Sequence, residues 1–332
     1  MMFNLISTEN KKYVYISDNK ILASSNNIIQ KLDKRLFPIK SIKQKIGYNN
    51  IIKLNKKYYL GHNLETSEVL NFEKAISERV ENYSVIGKYK DLIILNNNNS
   101  FPPILETHKS NNIFGKSVWK SNLMVTSWSL VDNNKIFIDT KDKDTFETIG
   151  LITALDIHTG TKLWQFNITD IQPGGNISRL IGVYQNILIA GIGTDWLLGI
   201  DTQSGKLVWK EKAIPNFYKI NYHKGTVVSI TSGFTERNIK TGEVINTFKD
   251  SKVLGLDTFM SQRDNYAVAG KYLITTDQRK GKIGAFNTLT HRFDWIHEEP
   301  GISFPGGHPI KYSEPYLFVM DNKHNLHIFE KQ

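Results

Sequence analysis

The phrase ALDIHTGTKLWQF, residues 154–166, recurs within the chain, and internal repetition restricts a fold more strongly than any composition can. Further copies read GIDTQSGKLVW at 199–209, ERNIKTGEVINTF at 236–248 and GAFNTLTHRFDW at 284–295. Aligning the turn acid or amide places Asp156, Asp201, Asn238 and Asn287 at separations of 45, 37 and 49 residues. A mean period of about 44 fits one four-stranded propeller blade.

Turn chemistry accounts for the phrase without a ligand. An Asp or Asn opens a tight turn by accepting its own backbone N–H groups, and a glycine supplies the positive φ of a bulged hairpin. Gly160, Gly205 and Gly242 occupy that slot, whereas Ser67 in HNLETSEVLNF and His291 in the last copy depart from it and are expected to carry strain. After each turn the side chains alternate, as in Trp164 and Phe166 against Leu163 and Gln165, which is the pattern of an outer strand pressed on its neighbour by one face. Trp164, Trp209 and Trp295 are therefore read as packing residues.

Eight short apolar runs, each introduced by a polar turn, are read as second strands: 12–17, 50–55, 91–96, 135–140, 186–191, 226–231, 271–276 and 316–321. Strands at this spacing, without helical periodicity, predict an all-β ring. Eight runs indicate eight blades, although 332 residues over a period of about 44 leave seven open. The last unit stops after its third strand, so a strand near Phe3 to Ser7 is expected to close the ring as its fourth. The whole chain, 1–332, is expected to form one β-propeller domain.

The phrases ALDIHTGTKLWQF and GIDTQSGKLVW resemble the quinoprotein-type, or PQQ-like, β-propeller repeat, whose motif has the form A-L-D-x-x-T-G-x-x-x-W. The resemblance is clear over 125–332 and faint over 1–124. It implies the fold well and a function poorly. Family members include exported quinone-dependent dehydrogenases and a lipid-anchored subunit of the outer-membrane assembly machinery. Quinone enzymes of the family place a divalent ion and an adjacent-cysteine disulfide near the cofactor; this chain has no cysteine at all, for a disulfide or for lipidation. No cofactor and no catalytic activity are expected. The start, MMFNLISTENKK, has no basic leader followed by an apolar run, and the expected location is cytoplasmic.

The net charge of +10 is concentrated. Residues 1–60 carry twelve basic side chains against three acids, a local balance of +9 that leaves about +1 for the other 272 residues. Two readings stand: lysines shielding solvent faces and strand edges, or a sector that docks an acidic partner, with Lys34, Arg35, Lys43 and Lys45 as its candidates. Nucleic acid is disfavoured, because arginine is scarce and no aromatic stacking platform is evident.

Other signals point to structure. Asp139, Asp142, Asp144 and Glu147 do not follow a calcium-loop spacing. His324 and His327, three apart on an expected strand, point to opposite faces, and no metal site is expected. Gly191 to Gly199 runs from strand to strand and is read as a turn, not a phosphate cradle. The irregular features are three long links, 168–177, 250–264 and 297–309. Their apolar residues, Leu254, Leu256, Phe259, Met260, Ile302 and Phe304, either plug the central funnel or form partner anchors beside Trp128, Trp196, Arg263 and His308. Together these features lead to a non-catalytic propeller that binds another protein, in concrete form an immunity-type protein neutralising a toxin. The alternative is a small-molecule, sugar or quinone-binding propeller using its funnel.

Overall fold

The computed structural model describes residues 2–332 apart from 10–12, 18–19, 26, 44–47, 49, 64–66, 81–82, 100–102, 114, 142–147, 231–232, 249–265, 278–279 and 306–309. The described residues form eight four-stranded antiparallel sheets. Blades 1 to 7 take their strands in chain order, within residues 13–43, 50–80, 83–121, 124–167, 177–212, 218–248 and 266–298. Blade 8 uses Lys311–Ser313, Tyr316–Met320 and Leu326–Lys331, and its fourth strand is Phe3–Glu9 from the other end of the chain. Phe3 pairs with Lys331 and Glu9 with Leu326, so the ring is closed by the expected N-terminal strand. Among the described residues the only helical segment is one 3-10 turn, Pro215–Phe217, and no helix is long and apolar enough to cross a membrane.

The apolar runs follow from position in the blade. The second strand Ile187–Ile192 is buried along its entire length, because sheet neighbours flank it and adjacent blades cover both of its faces. In the outer strand Lys162–Asn167 Trp164 is buried and Phe166 half-buried, while the other four positions are exposed. Antiparallel order also fixes which loops share a face. Each blade starts at the channel, so first-to-second and third-to-fourth turns emerge on one side, the turn face. Links between blades and second-to-third turns emerge on the other, the link face.

Six of the eight apolar runs are second strands, as expected. In blades 1 and 2 the runs at 12–17 and 50–55 instead supply the first strands, Tyr13–Ser17 and Asn50–Lys53, and the second strands are Lys20–Ser25 and Tyr58–His62. Ser67 is likewise not in a turn. It starts the buried third strand Ser67–Asn71, and the turn acceptor is Asn71, whose Oδ1 receives the N–H groups of Glu73 and Lys74 at 3.0 and 3.2 Å. Ala75, at φ 53°, holds the left-handed position in that turn.

Where the motif is complete it locks one blade to the next. The indole N–H groups of Trp119, Trp164 and Trp209 donate to the carbonyl oxygens of Ile157, Thr202 and Ile239, each in the following blade, at 2.8 to 3.0 Å. Their rings lie on Gly160, Gly205 and Gly242, where an added Cβ would stand 2.6 to 2.7 Å from ring carbons. These glycines sit at φ 70° to 76°, so they meet both a conformational and a steric requirement. Trp119 ends a turn two residues longer than that of blade 5, which hid this copy of the motif from sequence comparison. Trp295 packs instead on Phe3 of the closing strand, with ring centroids 5.1 Å apart, because blade 8 has no third-to-fourth turn for it to cover.

Candidate protein-docking sector

Blade 1 presents its cations on two exposed elements. The turn between its third strand, Ile28–Leu32, and its outer strand, Pro38–Lys43, carries Lys34 and Arg35, both exposed. Asp33 shapes this turn, its Oδ1 accepting the N–H groups of Arg35 and Phe37 at 2.8 and 2.9 Å. The outer strand exposes every residue except Ile42, so Lys40 and Lys43 reach solvent beside Phe37 (67% exposed) and Ile39 (55%). Large apolar side chains interspersed with lysine on an open sheet edge combine the two surface properties that a protein partner uses. Lys20 and Lys31 extend the sector toward the channel. Burial, followed by the positive charges of Lys20, Lys40 and Lys53, holds the Lys31 ammonium below the ordinary lysine range.

The other expected site residues do not converge on this sector. Trp196 is half-buried at the start of a third strand on the link face, with Lys210 and Lys212 5.6 and 5.7 Å from its ring centroid. Trp128 falls on the first strand of blade 4, Met124–Asp132, and its side chain is outside the described set. Lys45, Phe259, Arg263 and His308 lie outside the described residues, as do Leu254, Leu256 and Met260. Phe304 is not an exposed anchor. It is 1% exposed, packed in the core cluster of blades 7 and 8 with Phe3, Tyr272 and Phe329, and Ile302 packs against the same cluster. The link carrying them is drawn inward because two large apolar side chains gain more from that core than from water.

Buried titratable groups are distributed among blades and tied into hydrogen-bond networks. Glu106 accepts from Lys120 at 3.3 Å and lies 3.2 Å from His108. Glu236 meets Lys224 at 2.7 Å and the Thr226 hydroxyl at 2.9 Å. His327 is buried 3.0 Å from Asp321, whereas His324 sits in the preceding turn at φ 63°, not on the strand. Among the described residues no three His, Cys, Asp or Glu side chains group as metal ligands. Asp139 is buried on the second strand of blade 4, and Asp142, Asp144 and Glu147 lie outside the described residues. Gly193, Thr194 and Asp195 form the turn expected within 191–199. In the channel, Arg179, Lys219, Tyr222 and Tyr266 line a cavity of about 340 Å³.

Eight radially arranged antiparallel sheets, with Trp-on-Gly contacts between blades and ring closure by the N-terminal strand, define an eight-bladed β-propeller. Residues 148–301, from the third strand of blade 4 to just past the outer strand of blade 7, match the family described as Outer membrane protein assembly factor BamB. Solved structures agree over the full length. BamB from Moraxella catarrhalis superposes with a TM-score of 0.64 at 14% identity, covering 99% of both chains. Sqt1 of Saccharomyces cerevisiae gives 0.62 at 10% identity, covering 100% of this chain and 98% of its own. The computationally designed Ika8 protein also gives 0.62 at 10% identity, covering 99% and 98%. At these identities the similarity carries the fold. No curated protein sequence matches the chain.

Proposed function

We propose that the protein is a non-catalytic propeller that binds another protein through blade 1. The observation that carries this reading is the exposed surface of that blade, where Lys34, Arg35, Lys40 and Lys43 surround solvent-facing Phe37 and Ile39. Such a surface selects an acidic partner: complementary charge accelerates encounter, and the apolar side chains supply desolvation energy after contact. In its specific form the protein is an immunity-type factor acting in the cytoplasm, covering an acidic toxin and blocking it by occlusion. Co-expression tests this form. This form requires a toxin gene beside the protein's own; the protein should restore growth to cells producing that toxin, and the combined substitution Lys34→Glu, Arg35→Glu, Lys43→Glu should abolish the rescue at equal protein level. Rescue that survives the triple substitution would remove blade 1 from the reading.

The channel cavity favours a second reading, in which a small molecule occupies the funnel against Arg179, Lys219 and Tyr222. That reading requires a metabolite, sugar or quinone that raises the melting temperature, with the rise lost on Arg179→Gln.

A further inference from the structure

Where blade 8 meets blade 1, the turn face holds a cleft of about 570 Å³ that joins an apolar floor to a cationic rim. Its floor is Ile21, Leu32, Pro315 and Tyr316, of which Ile21, Leu32 and Tyr316 are 6 to 8% exposed. Lys20, Lys31 and Lys34 stand around it, and Ile39 extends the apolar surface outward. The Tyr316 hydroxyl donates to the Lys34 carbonyl at 2.7 Å, so the blade 1 turn is fixed to the facing blade.

The charges in this cleft are unevenly matched. Its two carboxylates have their own structural partners: Asp33 accepts the N–H groups of its own turn, and Glu314 accepts from Lys331 at 2.5 Å and from the Tyr312 hydroxyl. Lys20, Lys31 and Lys34 enter none of the ion pairs among the described residues. The Lys31 ammonium, 5.7 Å from the Tyr59 ring centroid, is disfavoured by burial and then by neighbouring lysines, a cost that an arriving carboxylate would offset.

We propose that this cleft binds an extended segment of the partner in which one bulky apolar side chain is flanked by carboxylates. The proposal rests on the blade 1 reading and gives it a recognition chemistry. The cleft crosses the second, third and outer strands of blade 1, from Ile21 past Leu32 to Ile39. Strands spaced about 4.8 Å apart make that crossing roughly 10 Å, the span of about three residues of extended chain. The central side chain fills the floor, and the flanking carboxylates meet Lys20, Lys31 and Lys34 at the rim.

Fluorescence anisotropy with a labelled Glu-Glu-Leu-Glu-Glu peptide tests the proposal. Saturable binding is expected, weakened at least tenfold by Leu→Gly or Glu→Lys in the peptide and by Ile39→Asp or Lys20→Glu in the protein, and retained in Lys34→Arg. Ile39 and Lys20 are exposed, so these variants should melt with the parent; Ile39→Ser serves if Ile39→Asp does not. Absence of saturable binding, or binding indifferent to both Leu→Gly and Ile39→Asp, would overturn the proposal. Partner capture lost in Arg35→Glu, Lys43→Glu but intact in Ile39→Asp, Lys20→Glu would overturn the cleft and leave the sector. Capture unaffected by any of these substitutions would remove both.

Discussion

The indole N–H of Trp164 in blade 4 donates to the carbonyl of Thr202 in blade 5 at 3.0 Å, while the same ring lies on Gly205 of that turn. Gly205→Ala should therefore be costly twice over, through a left-handed φ of 70° and through a methyl 2.6 Å from the ring. The expected loss is roughly 2 kcal/mol or more. Urea unfolding checks it, with Gly270→Ala as the control, since Gly270 has a similar φ of 61° but nothing within 4 Å of an added Cβ. Gly270→Ala should cost only the backbone part.

Closure of the ring depends on Phe3. Its ring is 3% exposed and packs on Trp295 and Tyr312, with centroids 5.1 and 6.2 Å away. Phe3→Ala should destabilise by roughly 3 to 5 kcal/mol, the range for a buried aromatic truncation. Removing residues 1–10 should do more, exposing the edge of Leu326–Lys331 and promoting aggregation. Thermal unfolding with light scattering measures both effects.

Asp201 makes one share of the stability pH-dependent. Hydrogen bonds from the Ser204 hydroxyl and the Ser204 and Gln203 N–H groups hold its carboxyl below the ordinary aspartate range, against a weaker opposing effect of burial. Its folded-state pKa lies below that of an unfolded aspartate, about 3.9. The stabilisation is therefore complete above that value and is lost as the pH falls through the folded-state pKa. Asn occupies the same turn position at 71, 238 and 287 with the same Oδ1 acceptor role. Asp201→Asn should leave stability near pH 7 little changed and make the loss below about pH 4 shallower. Denaturation midpoints from pH 7 to pH 3 check this.

Blade 7 solves the lock differently. His291 stands at the glycine position with φ 54°, and Asn246 of blade 6 occupies the register of the tryptophans. The imidazole fills the space an indole would take, 4.2 Å from the Phe248 ring centroid and 5.6 Å from that of Phe234. Asn246→Trp alone should crowd the imidazole, and His291→Gly alone should leave a void. The double substitution should restore the arrangement of blade 5 and lose less stability than the sum, with a coupling of about 1 kcal/mol or more. A double-mutant cycle in urea provides the measurement.

Blades 4 to 7 were legible because each turn has nearly one length and one acceptor. Blade number, antiparallel order and the closing strand followed from that rhythm. Blades 1 and 2 misled because their channel strands, YVYIS and NIIK, are as apolar as second strands: Tyr15 is buried and hydrogen-bonds the Tyr48 carbonyl at 2.9 Å, and Ile51 is 1% exposed. Ser67 sits in a motif-like stretch, HNLETSEVLNF, whereas Asn71, the actual turn acceptor, is not followed by the Thr-Gly pair of the repeat. At the candidate site, the charge of Lys34, Arg35 and Lys43 was visible in the sequence, but the cleft was not. Its two walls, Ile21 to Ile39 and Ser313 to Tyr316, come from opposite ends of the chain and meet only because the ring closes. For Phe304 the sequence leaves inward packing and partner anchoring open, because a long link between blades gives no sign of which apolar side chains turn inward; the structure buries it.

The central claim is that blade 1 recognises an acidic protein, and the association rate constant of the purified partner, measured against ionic strength, tests it most directly. Steered association should slow steeply between about 0.05 and 0.5 M salt, as the Debye length shrinks from above 10 Å to a few ångströms. The triple substitution Lys34→Glu, Arg35→Glu, Lys43→Glu should lower the low-salt rate at least tenfold and flatten its salt dependence. A rate constant and salt slope unchanged by that substitution, in a protein that melts with the parent, would contradict the account.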